Sequence, residues 1–150
     1  MIVTRSIIAA AAAMVLLAAS DATAACTIST TSVAFGQYNV FDATPTDSTG
    51  SITFLCSNAD RNIRVSLDQG SSGTFFPRTM RKGGESLPYN LYQNASRTMV
   101  WGNGSGGTSQ YTNNRPRNEM ITLTIYGRIP ADADVSAGTY TDTVVATIDW

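Results

Sequence analysis

Glu85 and Glu119 are the two glutamates of this 150-residue chain. A carboxylate pair splits a glycosidic bond only when folding holds the two groups about 5–10 Å apart. Nothing in the linear sequence brings them together, so an enzyme built on them is the weakest reading. The chain contains no histidine. It therefore lacks the commonest general base and the usual Ser-His nucleophile pair. Asp132 and Asp134 sit two apart in "ADAD", but no further oxygen ligands follow at calcium-loop spacing, and a solvated turn explains them. "GNGSGG" at 102–107 has no Lys-Ser/Thr behind it and is expected to be a mobile loop rather than a phosphate cradle. Trp101, Tyr89, Tyr92 and Tyr111 have the chemistry to line a sugar-binding surface, although packing in strands is the commoner use of such rings. "NAS" at 94–96 and "NGS" at 103–105 match the glycosylation sequon, which matters only in a host that reads it.

Cys26 and Cys56 are the only cysteines. A metal site would need further ligands and a redox pair would need closer spacing, so a disulfide is expected once the chain reaches an oxidising compartment. Closing that loop is worth about 3–4 kcal/mol in the chain-entropy picture.

The route to that compartment is written at the start of the chain. Arg5 is followed by an apolar run over residues 7–19 and then by "ATA" at 22–24. This pattern reads as a secretory signal peptide over residues 1–24, cleaved after Ala24. The run is short for a membrane anchor, which needs about 20 apolar residues. Thr23 stands where a lipobox carries a large aliphatic residue, which weakens a lipoprotein reading. No later stretch is apolar enough to span a membrane. Loss of Arg5 and Asp21 with the leader leaves the net charge at −1. A near-neutral chain has no field for nucleic acid or anionic lipid. Its main basic cluster, Arg78, Arg81 and Lys82, is expected in a solvated turn.

Elements must position whatever functions here, and they read as strands. "CTISTTSVAFGQY" alternates about Ile28, Val33 and Phe35, giving one interrupted strand or two short ones. "VFDATPTDSTG" reads as a turn-rich connection. "SITFLCS" and "NIRVSLDQG" each place apolar residues on one face. A short strand is expected near residues 78–80, then two in "LPYNLYQNA" and "RTMVWGNG", then a long flexible loop over "NGSGGTSQYTNNRPRN". "EMITLTIYGRIP" is a strong strand, and "ADADVSAG" a turn. "TDTVVATIDW" at 141–150 then alternates, with Val144, Ala146, Ile148 and Trp150 on one face. It carries no Pro, Gly or Lys to blunt its edge. Many short strands with turns between them and no helical period predict an all-β sandwich or barrel in one domain, residues 25–150.

Four stretches carry a resemblance. "CTISTTSVAFGQYNVF", "SITFLCS", "RTMRKGGESLPYNLYQNASRTMVWGNGSGGT" and "GTYTDTVVATIDW" together resemble the spore coat protein U domain of archaic chaperone–usher pilins. The resemblance implies an incomplete immunoglobulin-like β-sandwich that lacks its last strand. It implies a groove beside the C-terminal strand, to which Val33, Phe35, Val144, Ala146, Ile148 and Trp150 are assigned. It also implies partners: a periplasmic pilus chaperone, an outer-membrane usher and other pilin subunits, with strand donation as the assembly step. The product would be exported through the periplasm to the cell surface, as a non-enzymatic structural subunit without cofactor. After cleavage only Ala25 precedes Cys26, so this reading expects a subunit that accepts a strand without an arm to donate. Two other outcomes stay open: a secreted coat protein that closes its own sandwich, and a tip adhesin whose loop at 102–118 touches a sugar or a surface.

Overall fold

The computed structural model describes residues 25–57, 62–114 and 118–150. The expected leader, residues 1–24, lies outside the described residues. Eight strands follow in order: β1 (Ala25–Thr31), β2 (Thr46–Ser57), β3 (Ile63–Leu67), β4 (Arg78–Lys82), β5 (Glu85–Tyr92), β6 (Tyr111–Asn113), β7 (Met120–Ile129) and β8 (Ala146–Asp149). A single 3-10 turn, Gly70–Ser72, interrupts the run. Among the described residues no helix is long and apolar enough to cross a membrane.

The strands form two antiparallel sheets, β1-β2-β7-β5-β4 and β6-β3-β8. Strand period places alternate residues on one face. Ile52 and Phe54 of β2, Leu87, Tyr89 and Leu91 of β5, and Ile125 and Ile129 of β7 are buried from the larger sheet. Ile63, Val65 and Leu67 are buried from the smaller one. This two-layer core is the sandwich that the alternation predicts. Trp101 joins the layers. Its amide donates to Leu91 O at 2.9 Å and its indole Nε1 to Val65 O at 3.0 Å. Cys26 and Cys56 are disulfide-bonded and face one another in the β1–β2 register, so the bond clamps the edge strand β1 to its neighbour.

Five local expectations change. Strand β2 begins at Thr46, inside the stretch read as a connection, because Asp47 lies opposite Arg128 of β7 and receives its Nε at 2.7 Å. "RTMVWGNG" forms no strand of its own, only single bridges from Val100 to Tyr92 and from Trp101 to Ser109. The long loop instead holds β6, which pairs with β3. The terminal strand is shortened to Ala146–Asp149, since the chain changes sheets before it: Thr141 bridges Arg81 of β4, whereas Ala146 lies opposite Leu67 of β3.

Arg78 is the fifth correction. It is not in a solvated turn but completely buried. Its Nε and Nη2 donate to Asp68 O, Nη2 also to Trp101 O at 2.7 Å, and Nη1 to Asn90 Oδ1 at 2.8 Å. Its guanidinium lies over the Phe75 ring at 5.1 Å. Burial pulls its pKa below the usual arginine value, and Tyr89, Asp68 and Asp142 oppose that shift. The fork geometry lets one cation satisfy carbonyls from separate loops, which a lysine cannot reproduce.

Candidate functional site

Among the described residues, strand β1 pairs only with β2, and β8 only with β3. Between these margins the sandwich has a cleft of about 640 Å³, bounded by Ile28 and Val33 on one side and Val144 and Ala146 on the other, with Tyr89, Leu91 and Ile125 at its floor. A second cleft of about 700 Å³ continues it, between residues 33–40 and residues 135–140, over Leu87 and Ile129. Val33, Phe35, Met80 and Tyr140 line both clefts, so the two form one groove with a waist.

The groove walls are unusual in their backbone. Among the described residues, neither 33–38 nor 133–140 makes a backbone-to-backbone hydrogen bond. Side chains hold these segments instead. On the first wall, Ser48 Oγ donates to Ala34 O at 2.6 Å. Val33 and Phe35 seat on glycine: a Cβ on Gly127 would come 2.6 Å from Val33 Cγ1 and 2.7 Å from the Phe35 ring. A Cβ on Gly50 would lie 2.6 Å from Thr31 O. Bare backbone at these two inward positions lets the chain leave the β1 edge after Thr31 and lie across the sheet. Phe35 then meets Tyr89 edge-on, with centroids 6.1 Å apart.

The second wall is pinned at three points. Tyr38 crosses from the first wall, donating to Pro130 O at 3.0 Å and accepting from Ala133 N at 2.9 Å, which closes the far end of the groove. Glu85 Oε2 accepts from the Tyr140 hydroxyl at 2.6 Å and from Ser136, while Lys82 Nζ reaches Ala137 O at 2.7 Å and Glu85 at 3.1 Å. Hydrogen bonds from Ser136, Tyr140 and Lys82 hold the Glu85 carboxyl down at about 2. Asp142 marks the crossing between sheets. It accepts from Tyr89 OH at 2.6 Å and from the amides of Ser71 and Thr143, each at 2.9 Å. Burial pushes its carboxyl up, but the hydrogen bonds from Ser71, Tyr89 and Thr143 outweigh that and leave it below the ordinary range. The same contacts, led by burial, raise the Tyr89 phenol. Beyond the crossing, Asp68 N donates to Val145 O and Val145 N to Asp68 Oδ1, both at 3.0 Å, which registers the chain onto β3.

Of the residues assigned to the groove from sequence, Val33, Phe35, Val144 and Ala146 line it together. Ile148 is half-buried opposite Val65, beyond the cleft lining, and Trp150 is 52% exposed. Sequence reading missed Tyr140, in a stretch without alternation, Met80, in the short strand expected near 78–80, and Asp142, on the polar opening of the alternating run 141–150. Ile28, also on the wall, belongs to the alternating run that was read as a strand.

The alternative chemistries disperse. Glu119 precedes the first residue of β7 and Glu85 lies past Asn90, which is opposite Arg128 near the other end. Glu119 and Arg128 alone are nine positions apart, about 30 Å at 3.3 Å per residue, and Glu85 lies beyond that, so the carboxylates are far outside glycosidase spacing. Trp101 and Tyr89 are buried, so no open aromatic face assembles from them. Among the described residues no group of three metal-ligating side chains gathers around Asp132 and Asp134.

Residues 12–147 match the Spore Coat Protein U domain family. Protein U of Myxococcus xanthus is 32% identical over 110 residues, covering 68% of this chain and 59% of that protein. The chain thus spans less than two thirds of that relative's length. Among solved structures, it is similar to a chain of the CsuC–CsuE chaperone–tip adhesion subunit pre-assembly complex from the archaic chaperone–usher Csu pili of Acinetobacter baumannii: 25% identity, TM-score 0.58, covering 85% of this chain and 40% of that one. The E. coli Hda pilus minor tip subunit, HdaB, is 15% identical over 81% of this chain and 79% of its own, at a TM-score of 0.40. With nearly its whole described length inside the matched span, the chain belongs to the Spore Coat Protein U domain family.

Proposed function

We propose that this chain is a structural subunit of a chaperone–usher surface fibre and that its groove accepts an extended strand from another polypeptide. The proteins it resembles are structural rather than enzymatic. The observation that carries the reading is the pair of groove walls whose backbone groups lack backbone partners, set over an apolar floor. Unpaired amides and carbonyls beside apolar surface are a template for an added strand. Such a strand satisfies both walls and covers Val33, Phe35, Val144 and Ala146. Burying large apolar side chains of its own contributes roughly 1.5–3 kcal/mol each.

A periplasmic chaperone occupies the groove first in this reading, another subunit replaces it, and an outer-membrane usher carries the product to the cell surface. The pre-assembly complex named above supports the chaperone step by likeness. The test is thermal unfolding of purified protein with and without a synthetic peptide of alternating apolar residues. At a hundredfold excess over Kd, binding to the folded state adds about 2.7 kcal/mol. An unchanged melting temperature, with no complex formed with a co-expressed chaperone, refutes the reading and favours a coat protein that is complete alone.

A tip-adhesin role has one supporting observation. Phe76 is 53% exposed and packs near Gly107 of the glycine-rich loop, making an apolar point outside the groove. Replacing Phe76 with Ser lowers surface adhesion and leaves fibre assembly intact if that role holds.

A further inference from the structure

Four residues line both clefts of the groove: Val33 and Phe35 from one wall, Met80 from the floor, and Tyr140 from the other wall. They define the waist. The far cleft is closed at its end by the Tyr38 contacts to Pro130 and Ala133. A strand entering between β1 and β8 therefore fills the near cleft first and passes the waist to reach the far one. Three of the waist residues are fixed by packing or by a strand. Val33 and Phe35 sit tight on Gly127, and Met80 is in β4 opposite Leu87.

Tyr140 differs. Among the described residues no backbone-to-backbone bond holds it or residues 133–139. Its hydroxyl donates to Glu85 Oε2 at 2.6 Å, with Ser136 O 3.0 Å away, and Lys82 Nζ lies 5.4 Å from its ring centre. Lys82 in turn holds Ala137 O, and its alkyl chain occupies the space where a Gly138 side chain would stand. Glu85 and Lys82 line neither cleft. They act on the groove only through the wall they hold.

We propose that Tyr140 is a gate at the waist of the groove, latched by Glu85 and Lys82, and that this latch sets how far an accepted strand penetrates. The proposal rests on the strand-accepting reading above. It makes Glu85 and Lys82 positioning residues. A strand confined to the near cleft ignores the latch, whereas one that fills both clefts must displace the wall that carries Tyr140.

The experiment uses two synthetic peptides of alternating Val and Thr. One has about six residues, roughly 20 Å when extended, and the other about twelve. Stopped-flow binding is followed for the wild type, Glu85→Gln and Lys82→Met. For the wild type, the short peptide binds in one phase and the long one in a fast and a slow phase. In both variants the slow phase accelerates at least fivefold, while short-peptide binding is unchanged. Equal slow phases in all three proteins, or a single phase for the long peptide, overturn the gate while leaving the groove standing. Binding of neither peptide to the wild type overturns the groove reading itself and the gate with it. Hydrogen exchange guards against a trivial loss of folding: the amides of β2 and β7 exchange as slowly in the variants as in the wild type.

Discussion

The Tyr89 hydroxyl donates to Asp142 Oδ2 at 2.6 Å, tying β5 of the larger sheet to the segment in which the chain crosses to the smaller one. This bond lies beneath the groove, where both residues contribute to the lining. Tyr89→Phe removes the donor and leaves a partly buried carboxylate short of a partner. The expected loss is about 1–2 kcal/mol in urea unfolding, with Asp142→Ala costing more because Ser71 and Thr143 also lose their acceptor.

Acid should weaken the fold in a defined window. Glu85 is held at about 2 by its hydrogen bonds, and Asp142 and Asp47 are also lowered, Asp47 chiefly by its bond from Arg128. A carboxyl depressed in the folded state contributes stability that is complete above its unfolded value, about 4, and is lost as pH falls toward the folded value. The melting temperature is therefore expected to be flat from pH 7 to about 5 and to fall between about 4 and 2. In Glu85→Gln the fall is shallower, which melting curves followed by circular dichroism at each pH check.

Arg78 is the buried cation on which several loops converge. Arg78→Met strips donors from Asp68 O, Trp101 O and Asn90 Oδ1 together. Asn90 Oδ1 keeps the Leu91 amide, but Asp68 O and Trp101 O are left alone at about 1–3 kcal/mol each, so the loss is roughly 2 kcal/mol or more. Arg78→Lys is expected to recover only part of it, because a single ammonium cannot span the fork. Denaturant midpoints of the two variants measure the difference.

Gly127→Ala tests the first wall. Its backbone is extended within β7, so conformational strain is not the issue; the added methyl meets Val33 and Phe35 inside van der Waals distance. Overpacking of this kind costs about 1–3 kcal/mol. The displaced side chains should also weaken donor-peptide binding, which calorimetric titration reads independently of stability.

Reduction of Cys26–Cys56 frees the edge strand β1 from its clamp. Replacing both cysteines with Ala is expected to cost about 2–5 kcal/mol. Faster amide exchange should concentrate in β1, since among the described residues β2 is its only strand partner.

Legibility in the sequence followed the kind of interaction involved. The strands β3, β5 and β7 were readable because alternating apolar residues need no knowledge of their neighbours. The start of β2 was not, since "TDSTG" has turn composition and becomes strand only through the ladder with β7 and the Asp47–Arg128 pair. Arg78 misled for a similar reason. A basic residue near glycines is normally solvated, and only the meeting of acceptors from two loops and from Asn90 of β5 makes its burial tolerable.

The groove divides in the same way. By itself, the sequence determined that β8 has an apolar face, that Val33 and Phe35 alternate with the small residues Ser32, Ala34 and Gly36, and that two cysteines were available to pair. Those are properties of local period and composition. The waist and its latch were decided only by the tertiary structure. Tyr140, Glu85 and Lys82 carry no periodic signal, and Lys82 and Glu85 reach the 135–140 wall across more than fifty positions of chain. Their contact exists because β4 and β5 form one hairpin beside the returning chain, a proximity set by the sheet order and invisible in a linear pattern.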